Sequence, residues 1–251
     1  MKKLLSTLAM AITFASVASA DFARVEMGLG TWMQTPTGTT SYVMTPFVGD
    51  DTSKENSQAE LYFWMLIKHP IPVLPNIRLE YVNTLNEGTY TGTYESLFGS
   101  LSLTGEASKL EMTQFDIVPY YNILDNTAWV TLDLGLDIKV VNLSYTAAGV
   151  DILASLPTDV SSFVIPLGYV RARVQVPATN FGFEADVKYI TYDNNTVSDI
   201  RVKMDYTLDM IPVIQPSIEL GYRMQKFELD ESGFVMDTEY NGVYAGVMLR
   251  F

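Results

Sequence analysis

From residue 21 onward the chain alternates between apolar and polar positions with a period of two. Val130, Leu132, Leu134, Leu136, Ile138 and Val140 interleave with Thr131, Asp133, Gly135, Asp137 and Lys139. Phe181, Phe183, Ala185, Val187 and Tyr189 interleave with Gly182, Glu184, Asp186 and Lys188. Ile200, Val202, Met204, Tyr206 and Leu208 interleave with Arg201, Lys203, Asp205 and Thr207. Consecutive side chains on a strand point to opposite faces, so each run is a strand with one apolar and one charged face. Similar runs occupy 22–34, 58–69, 77–86, 163–176, 216–229 and 239–251, and a less regular one at 108–121 is expected to contain a bulge.

These runs make ten strands joined by alternating short and longer connections. The short set is 69–76, 122–127, 177–180 and 210–215, and three of the four contain proline, which cannot donate to a ladder. The longer set is 35–57, 87–107, 143–162, 193–198 and 230–238, mostly rich in Gly, Ser, Thr, Asn and Asp. An even strand count, eight to twelve, returns the chain to its starting side. The expected fold is all-β: one closed antiparallel up-and-down barrel of about ten strands.

Periodicity does not say which face looks inward; charge does. On nine strands, leaving out 108–121, the charged face holds ten acids: Glu26, Glu60, Glu80, Asp133, Asp137, Glu184, Asp186, Asp205, Asp209 and Glu219. It holds eleven bases: Arg24, Lys68, Arg78, Lys139, Arg171, Arg173, Lys188, Arg201, Lys203, Arg223 and Arg250. The whole chain has 29 acids and 16 bases, so its excess negative charge lies elsewhere. A solvent-facing surface has no need of such balance, whereas an unpaired ion in a confined lumen costs several kcal/mol. The charged face therefore points inward and the apolar face outward, to lipid. The lumen ion-pair candidates are Glu60, Arg78, Glu80, Asp133, Asp137, Lys139, Arg171, Arg173, Glu184, Asp186, Lys188, Arg201, Lys203, Asp205, Glu219 and Arg223. Trp129, Tyr120, Tyr121 and Phe181 near short turns, and Tyr189, Tyr192, Tyr90 and Phe163 near long loops, fit two interfacial girdles.

Two terminal segments add a compartment. Lys2 and Lys3, the apolar stretch 4–17 and Ala18-Ser19-Ala20 form an export signal with a cleavage site before Asp21, so 1–20 is expected to be removed and 21–251 to be the barrel. Loss of two lysines leaves 14 bases against 29 acids, a net charge of −15, which argues against nucleic acid as a partner. At the other end Val243, Ala245, Val247, Leu249 and Phe251 share one face. This terminal strand with its final aromatic resembles that of bacterial outer-membrane proteins. With the signal and the strand pattern, the chain resembles the small outer-membrane β-barrel families of proteobacteria. The resemblance implies outer-membrane location, recognition of the last strand by the barrel-assembly machinery, and lipid and lipopolysaccharide as neighbours. It implies nothing about activity.

No catalytic site emerges from the residues. The lone histidine, His69, precedes Pro70 at a short turn, where the expectation is an interfacial or turn role, and no serine has it as a partner. Asp133/Asp137 and Glu184/Asp186 lie beside Lys139 and Lys188 on the same faces, which favours ion pairing over acid–base work. The chain has no cysteine, and no cofactor or metal site is expected. Two functions are in competition: a structural or interaction barrel plugged by ion pairs, or a narrow channel using room left by Gly135, Gly182 and Gly221. A lipid-modifying enzyme of the outer leaflet ranks last. The apolar stretch 150–156 within the connection 143–162 is a rim helix or a lid.

Overall fold

The computed structural model describes residues 23–44, 47–71, 73–96, 99–151, 161–208, 214–231 and 233–251. The expected signal segment 1–20, Asp209 and residues 152–156 of the apolar stretch lie outside them. The strands are β1 (Arg24–Met44), β2 (Phe47–Ser53), β3 (Gln58–Lys68), β4 (Asn76–Ser96), β5 (Gly99–Thr127), β6 (Val130–Ala147), β7 (Val150–Asp151), β8 (Ser162–Gln175), β9 (Phe181–Tyr192), β10 (Asn195–Thr207), β11 (Gln215–Glu231) and β12 (Phe234–Arg250).

All pairings are antiparallel, and β12 returns to β1, with Glu26 opposite Arg250 and Tyr42 opposite Phe234, so the sheet closes on itself. β2 and β3 lie end to end between β1 and β4, and β7 merely extends the hairpin that follows β6. The twelve segments thus fill ten places around the ring, the expected number. Closure removes the free edges that an open sheet would leave for aggregation.

The strands run well past their expected ends. The segments 35–57 and 87–107, expected as loops, are mostly strand: β1 continues to Met44, β2 begins at Phe47, and β4 and β5 pair from Asn76↔Tyr120 up to Ser96↔Gly99. Their Thr and Tyr content, as in Thr89-Tyr90-Thr91-Gly92-Thr93-Tyr94, has high strand propensity. No register shift interrupts 108–121: Ser108↔Ala147 and Tyr120↔Gly135 belong to one unbroken register with β6. The shifts sit on either side, at Tyr90/Thr91 and between Asn122 and Thr127.

The added length reveals two storeys of opposite polarity. In the storey next to the short turns, outward residues are apolar and exposed: Leu134, Leu136 and Ile138 on β6, Phe183 and Val187 on β9, Ile218 and Leu220 on β11, Val243 and Val247 on β12. Inward residues there are buried and charged. Further up, both faces change character. Outward positions become Asn142 and Ser144 on β6, Lys109 and Glu111 on β5, Lys226 and Glu228 on β11, Asp237 and Glu239 on β12. Inward ones become Leu110, Met112, Val141, Leu143, Tyr145, Phe227, Met236 and Tyr240, all buried. The upper storey is built like a water-soluble barrel and the lower one inside out. On β6 the belt runs from Val130 to Val140. Ten steps at ~3.3 Å with a tilt of ~40° give a height of ~25 Å, that of a transmembrane barrel's apolar band.

Among the aromatics, Tyr121, Trp129 and Phe181 near the short turns and Tyr189 and Tyr192 at the other end are exposed, as a pair of girdles requires. Tyr90 and Tyr120 instead point inward and are buried, and Phe163 packs against the upper core. Parity on their strands, rather than distance from a turn, decides their direction.

The wall is interrupted where residues 54–57 separate β2 from β3. The β3–β4 ladder stops at Tyr62↔Val82 and the β2–β4 ladder starts at Ser53↔Gly88. Buried Gln34 spans the gap with its side-chain amide, donating to Asn83 O (3.0 Å) and accepting from Leu85 N (3.4 Å). A side chain here takes over ladder bonds that no neighbouring strand supplies, which keeps buried backbone groups paired.

The change of polarity predicts opposite responses to one substitution at two heights. For the barrel refolded into lipid vesicles, Leu136→Arg should lower unfolding free energy by ~2–4 kcal/mol in a urea titration, whereas Ser144→Arg should change it by less than ~0.5 kcal/mol.

Candidate functional site

The lower lumen is filled by charge. Glu26, Glu80, Asp116, Asp133, Asp137, Glu184, Asp186, Asp199, Asp205 and Glu219 are buried there, together with Arg78, Lys139, Arg171, Arg173, Lys188, Arg201, Lys203 and Arg223. Arg24 and Arg250, at the short-turn rim, both pair with Glu26 and bring the bases level with the acids. Period-two strands from nine places in the ring aim these groups at one axis, so the charges meet across the barrel as well as along it.

Two carboxylates act as hubs. Glu80 on β4 receives Arg78 Nε (2.5 Å), Lys188 Nζ (2.7 Å), Arg201 Nη2 (3.3 Å) and Arg223 Nη2 (3.6 Å). Glu184 on β9 receives Arg171 Nη2 (2.6 Å), Arg78 Nη1 (3.4 Å), Lys203 Nζ (3.4 Å) and Arg173 Nη1 (3.6 Å). Around them, Arg173 grips both oxygens of Asp205 at 2.5 and 2.9 Å, and Arg201 holds Asp186 at 2.8 Å. Arg171 meets Asp133 at 2.6 Å, Lys139 meets Asp116 at 2.8 Å, and Arg223 binds Asp199 at 2.5 and 2.9 Å. Lys188 also binds Asp116. Such pairing offsets the cost of taking ions out of water.

Aromatic side chains complete the packing. Tyr62 Oη donates to Glu219 Oε1 at 2.6 Å and Trp64 Nε1 donates to the same oxygen at 3.1 Å. Lys203 Nζ lies 4.2 Å from the Trp64 ring centroid and the Arg78 guanidinium 4.9 Å, both within cation–π range. Glycine makes room for this cluster: a Cβ on Gly28 would stand 2.2 Å from Trp64 Nε1, and one on Gly246 2.4 Å from Tyr62 Oη. Above the ions, Gln114 of β5 and Gln225 of β11 face each other across the lumen, each amide nitrogen 3.1 Å from the other's oxygen. Beyond that amide pair begins the apolar upper core.

Fifteen of the sixteen candidates from the sequence take part in this lattice. Glu60 does not. It sits beside the wall gap above Tyr62, is only half-buried, and lines a small groove with Glu111, Asn83 and Asn142, whose strand parity is outward. The missing β3–β4 pairing lets its side chain leave the lumen. Asp137 belongs by position but is the least satisfied acid. Its nearest cation is Lys188 at 3.8 Å, and neither of its oxygens accepts a hydrogen bond from the described residues.

Asp116 and Asp199 are central members that the sequence count passed over. Asp116 lay in the run excluded as irregular, and Asp199 one residue outside the alternation beginning at Ile200. Both show the right signal in hindsight: Asp199, Arg201, Lys203 and Asp205 share one parity, as do Gln114, Asp116 and Val118. The inward glycines expected to leave a passage do not. A Cβ on Gly182 would meet Arg173 Nη2 at 2.3 Å, one on Gly221 the Tyr244 ring at 2.5 Å, and one on Gly135 Pro119 O at 2.4 Å. The volume glycine frees is occupied by its neighbours.

His69 is engaged within its own turn. Ile71 N donates to Nδ1 (3.1 Å), which leaves Nε2 to carry the hydrogen and donate to Pro75 O (3.0 Å).

No family model and no curated protein matches the sequence. Solved structures do match in shape. The chain is similar to the outer-membrane protease OmpT of Escherichia coli, with a TM-score of 0.53 and 13% identity over 94% of this chain and 100% of that one. It also aligns with the translocator domain of the autotransporter NalP of Neisseria meningitidis, at a TM-score of 0.41 and 10% identity over 100% of this chain and 96% of that one. The outer-membrane protein OprG of Pseudomonas aeruginosa aligns at a TM-score of 0.32 and 11% identity over 91% and 95%. The first of these likenesses, together with the closed antiparallel ring, shows the fold of an outer-membrane β-barrel.

Removing one hub should unbalance several cations at once. Glu80→Gln should cost ~3–5 kcal/mol of unfolding free energy, since it leaves buried cations without their counter-charge. Glu228→Gln, which removes one of two acidic partners of half-exposed Lys226, should cost less than ~1 kcal/mol. Denaturant titrations of the two variants side by side check both values.

Proposed function

We propose that the protein is an integral barrel of the bacterial outer membrane with a filled, non-conducting lumen, serving a structural or interaction role through its upper storey. The carrying observation is the lattice: eighteen buried charges and the Gln114–Gln225 pair occupy the axis, with an apolar core stacked above. The outward belt of ~25 Å supports the membrane setting. A ten-strand ring is near the size whose interior side chains fill, which favours a lumen without a continuous water path.

In this reading the short-turn end faces the periplasm, because bacterial barrels keep their shorter connections there. The outward row Val243, Ala245, Val247, Leu249 and Phe251 would present the last strand to the assembly machinery. In the finished barrel that strand is paired with β1, and Phe251 N still donates to Val25 O at 2.9 Å. Outer-membrane lipid and lipopolysaccharide would surround the belt. The upper wall would stand clear of the bilayer, exposing Glu55, Glu95, Glu106, Glu111, Asp193, Asp230 and Asp237 against few bases. An acidic wall of this kind suits a cationic partner better than an anionic one.

Electrical recording in planar bilayers tests the filled lumen. The purified, folded barrel should give no steady openings at either polarity; a stable unit conductance would replace this reading with the channel.

A further inference from the structure

At the short-turn end the lumen widens into a vestibule of about 310 Å³ beneath the ionic lattice. Three guanidinium groups converge on it, those of Arg24, Arg173 and Arg250. The other described lining residues are amides and hydroxyls, among them Asn126, Gln175 and Thr207, with exposed Trp129 at the side. None of them is acidic, although the chain carries 29 acids against 16 bases. In the ionic lattice above it cations and carboxylates alternate, so this described lining departs from the pattern next to it.

Its charge is also incompletely answered. Glu26 alone serves both rim arginines, at 3.1 Å from Arg24 and 2.8 Å from Arg250. Arg250 Nη2 is buried and has no acceptor among the described residues. Arg173, 5% exposed, is held rigid from behind by Asp205 and donates from Nη2 to Gln175 Oε1 at 3.2 Å. Carboxylates thus orient the arginines, while the described lining carries guanidinium, amide and hydroxyl groups and no carboxylate. Guanidinium forks match carboxylate and phosphate oxygens in geometry, and preoriented forks lose little entropy on binding.

We propose that this vestibule is a binding site for a small oxyanion, a carboxylate or phosphate compound reaching the barrel from its short-turn side. The space suits a compact ligand such as a dicarboxylate or a small phosphate ester. The proposal does not depend on whether the lumen conducts, since binding is read directly at the short-turn end.

Isothermal titration of the detergent-folded barrel with succinate and with inorganic phosphate, at low ionic strength, tests it. One-site binding of either probe is expected, and the tighter of the two identifies carboxylate or phosphate as the preferred group. Affinity should fall tenfold or more in the Arg24→Gln/Arg250→Gln double variant and severalfold in Gln175→Leu, and should weaken as salt rises. Lys109→Gln, far away on the upper wall, should bind as the unaltered protein does. If the double variant does not fold, as judged by its heat-modifiable mobility, Gln175→Leu and Asn126→Leu carry the test. Absence of binding by both probes, or affinity that ignores substitutions in the vestibule, overturns the proposal.

Discussion

The whole structure rests on the need to neutralise ions enclosed within a low-dielectric tube. Once the outer face of the lower storey is apolar, every charged side chain of that storey must find its counter-charge inside. The chain meets this requirement as a lattice rather than as isolated pairs. Glu80 draws in four cations and Glu184 five, so the two carboxylates between them order groups on β4, β8, β9, β10 and β11. The same requirement explains the glycines: Gly28, Gly182 and Gly221 supply volume for Trp64, Arg173 and Tyr244 to reach their places. A lattice of this density is also what carries the proposal of a filled lumen.

The upper storey shows the converse solution. Where the outer face meets water, the inner face no longer needs charge, and Leu110, Met112, Val141, Leu143 and Phe227 form an ordinary apolar core. One backbone carries both arrangements without a break, because β5 and β6 hold a single register from Tyr120↔Gly135 to Ser108↔Ala147. The crossing point is visible on β6 at Val140 and Val141, adjacent apolar residues on opposite faces. Below them the odd positions carry Asp133, Asp137 and Lys139, and above them the odd positions are apolar. Inward Asp51 is an exception in the upper storey: burial pushes its carboxyl up from the usual range, while a 2.7 Å hydrogen bond from Ser108 Oγ draws it back.

That crossing also explains what the amino-acid sequence concealed. The closed ring, its ten places and the inward direction of the charges were all legible, because lipid outside and ions inside reinforce one alternation. At residues such as 141–147 the apolar phase slips by one, and a period-two reading sees a strand ending where the backbone in fact continues. Thr- and Gly-rich stretches such as 35–44 and 87–96 look like loops for a related reason: their outward side chains are polar because they face water. The lattice was legible in outline for the same physical reason as the ring. Its exceptions, Glu60 turned out at the wall gap and Asp199 hidden beside a strand boundary, depend on pairing between distant segments that no local pattern records.

The orientation of the two faces can be measured along one strand. The chain has no cysteine, so single cysteines at each position from 130 to 147 can carry a spin label in the barrel reconstituted in lipid. Collision with oxygen, which concentrates in the bilayer, should dominate at 132, 134, 136, 138 and 140. Collision with a water-soluble nickel chelate should dominate at 142, 144 and 146, and positions between should be shielded from both. Nickel access at 134, 136 and 138 equal to that at 144 would contradict the account, because the apolar face would then lie in water.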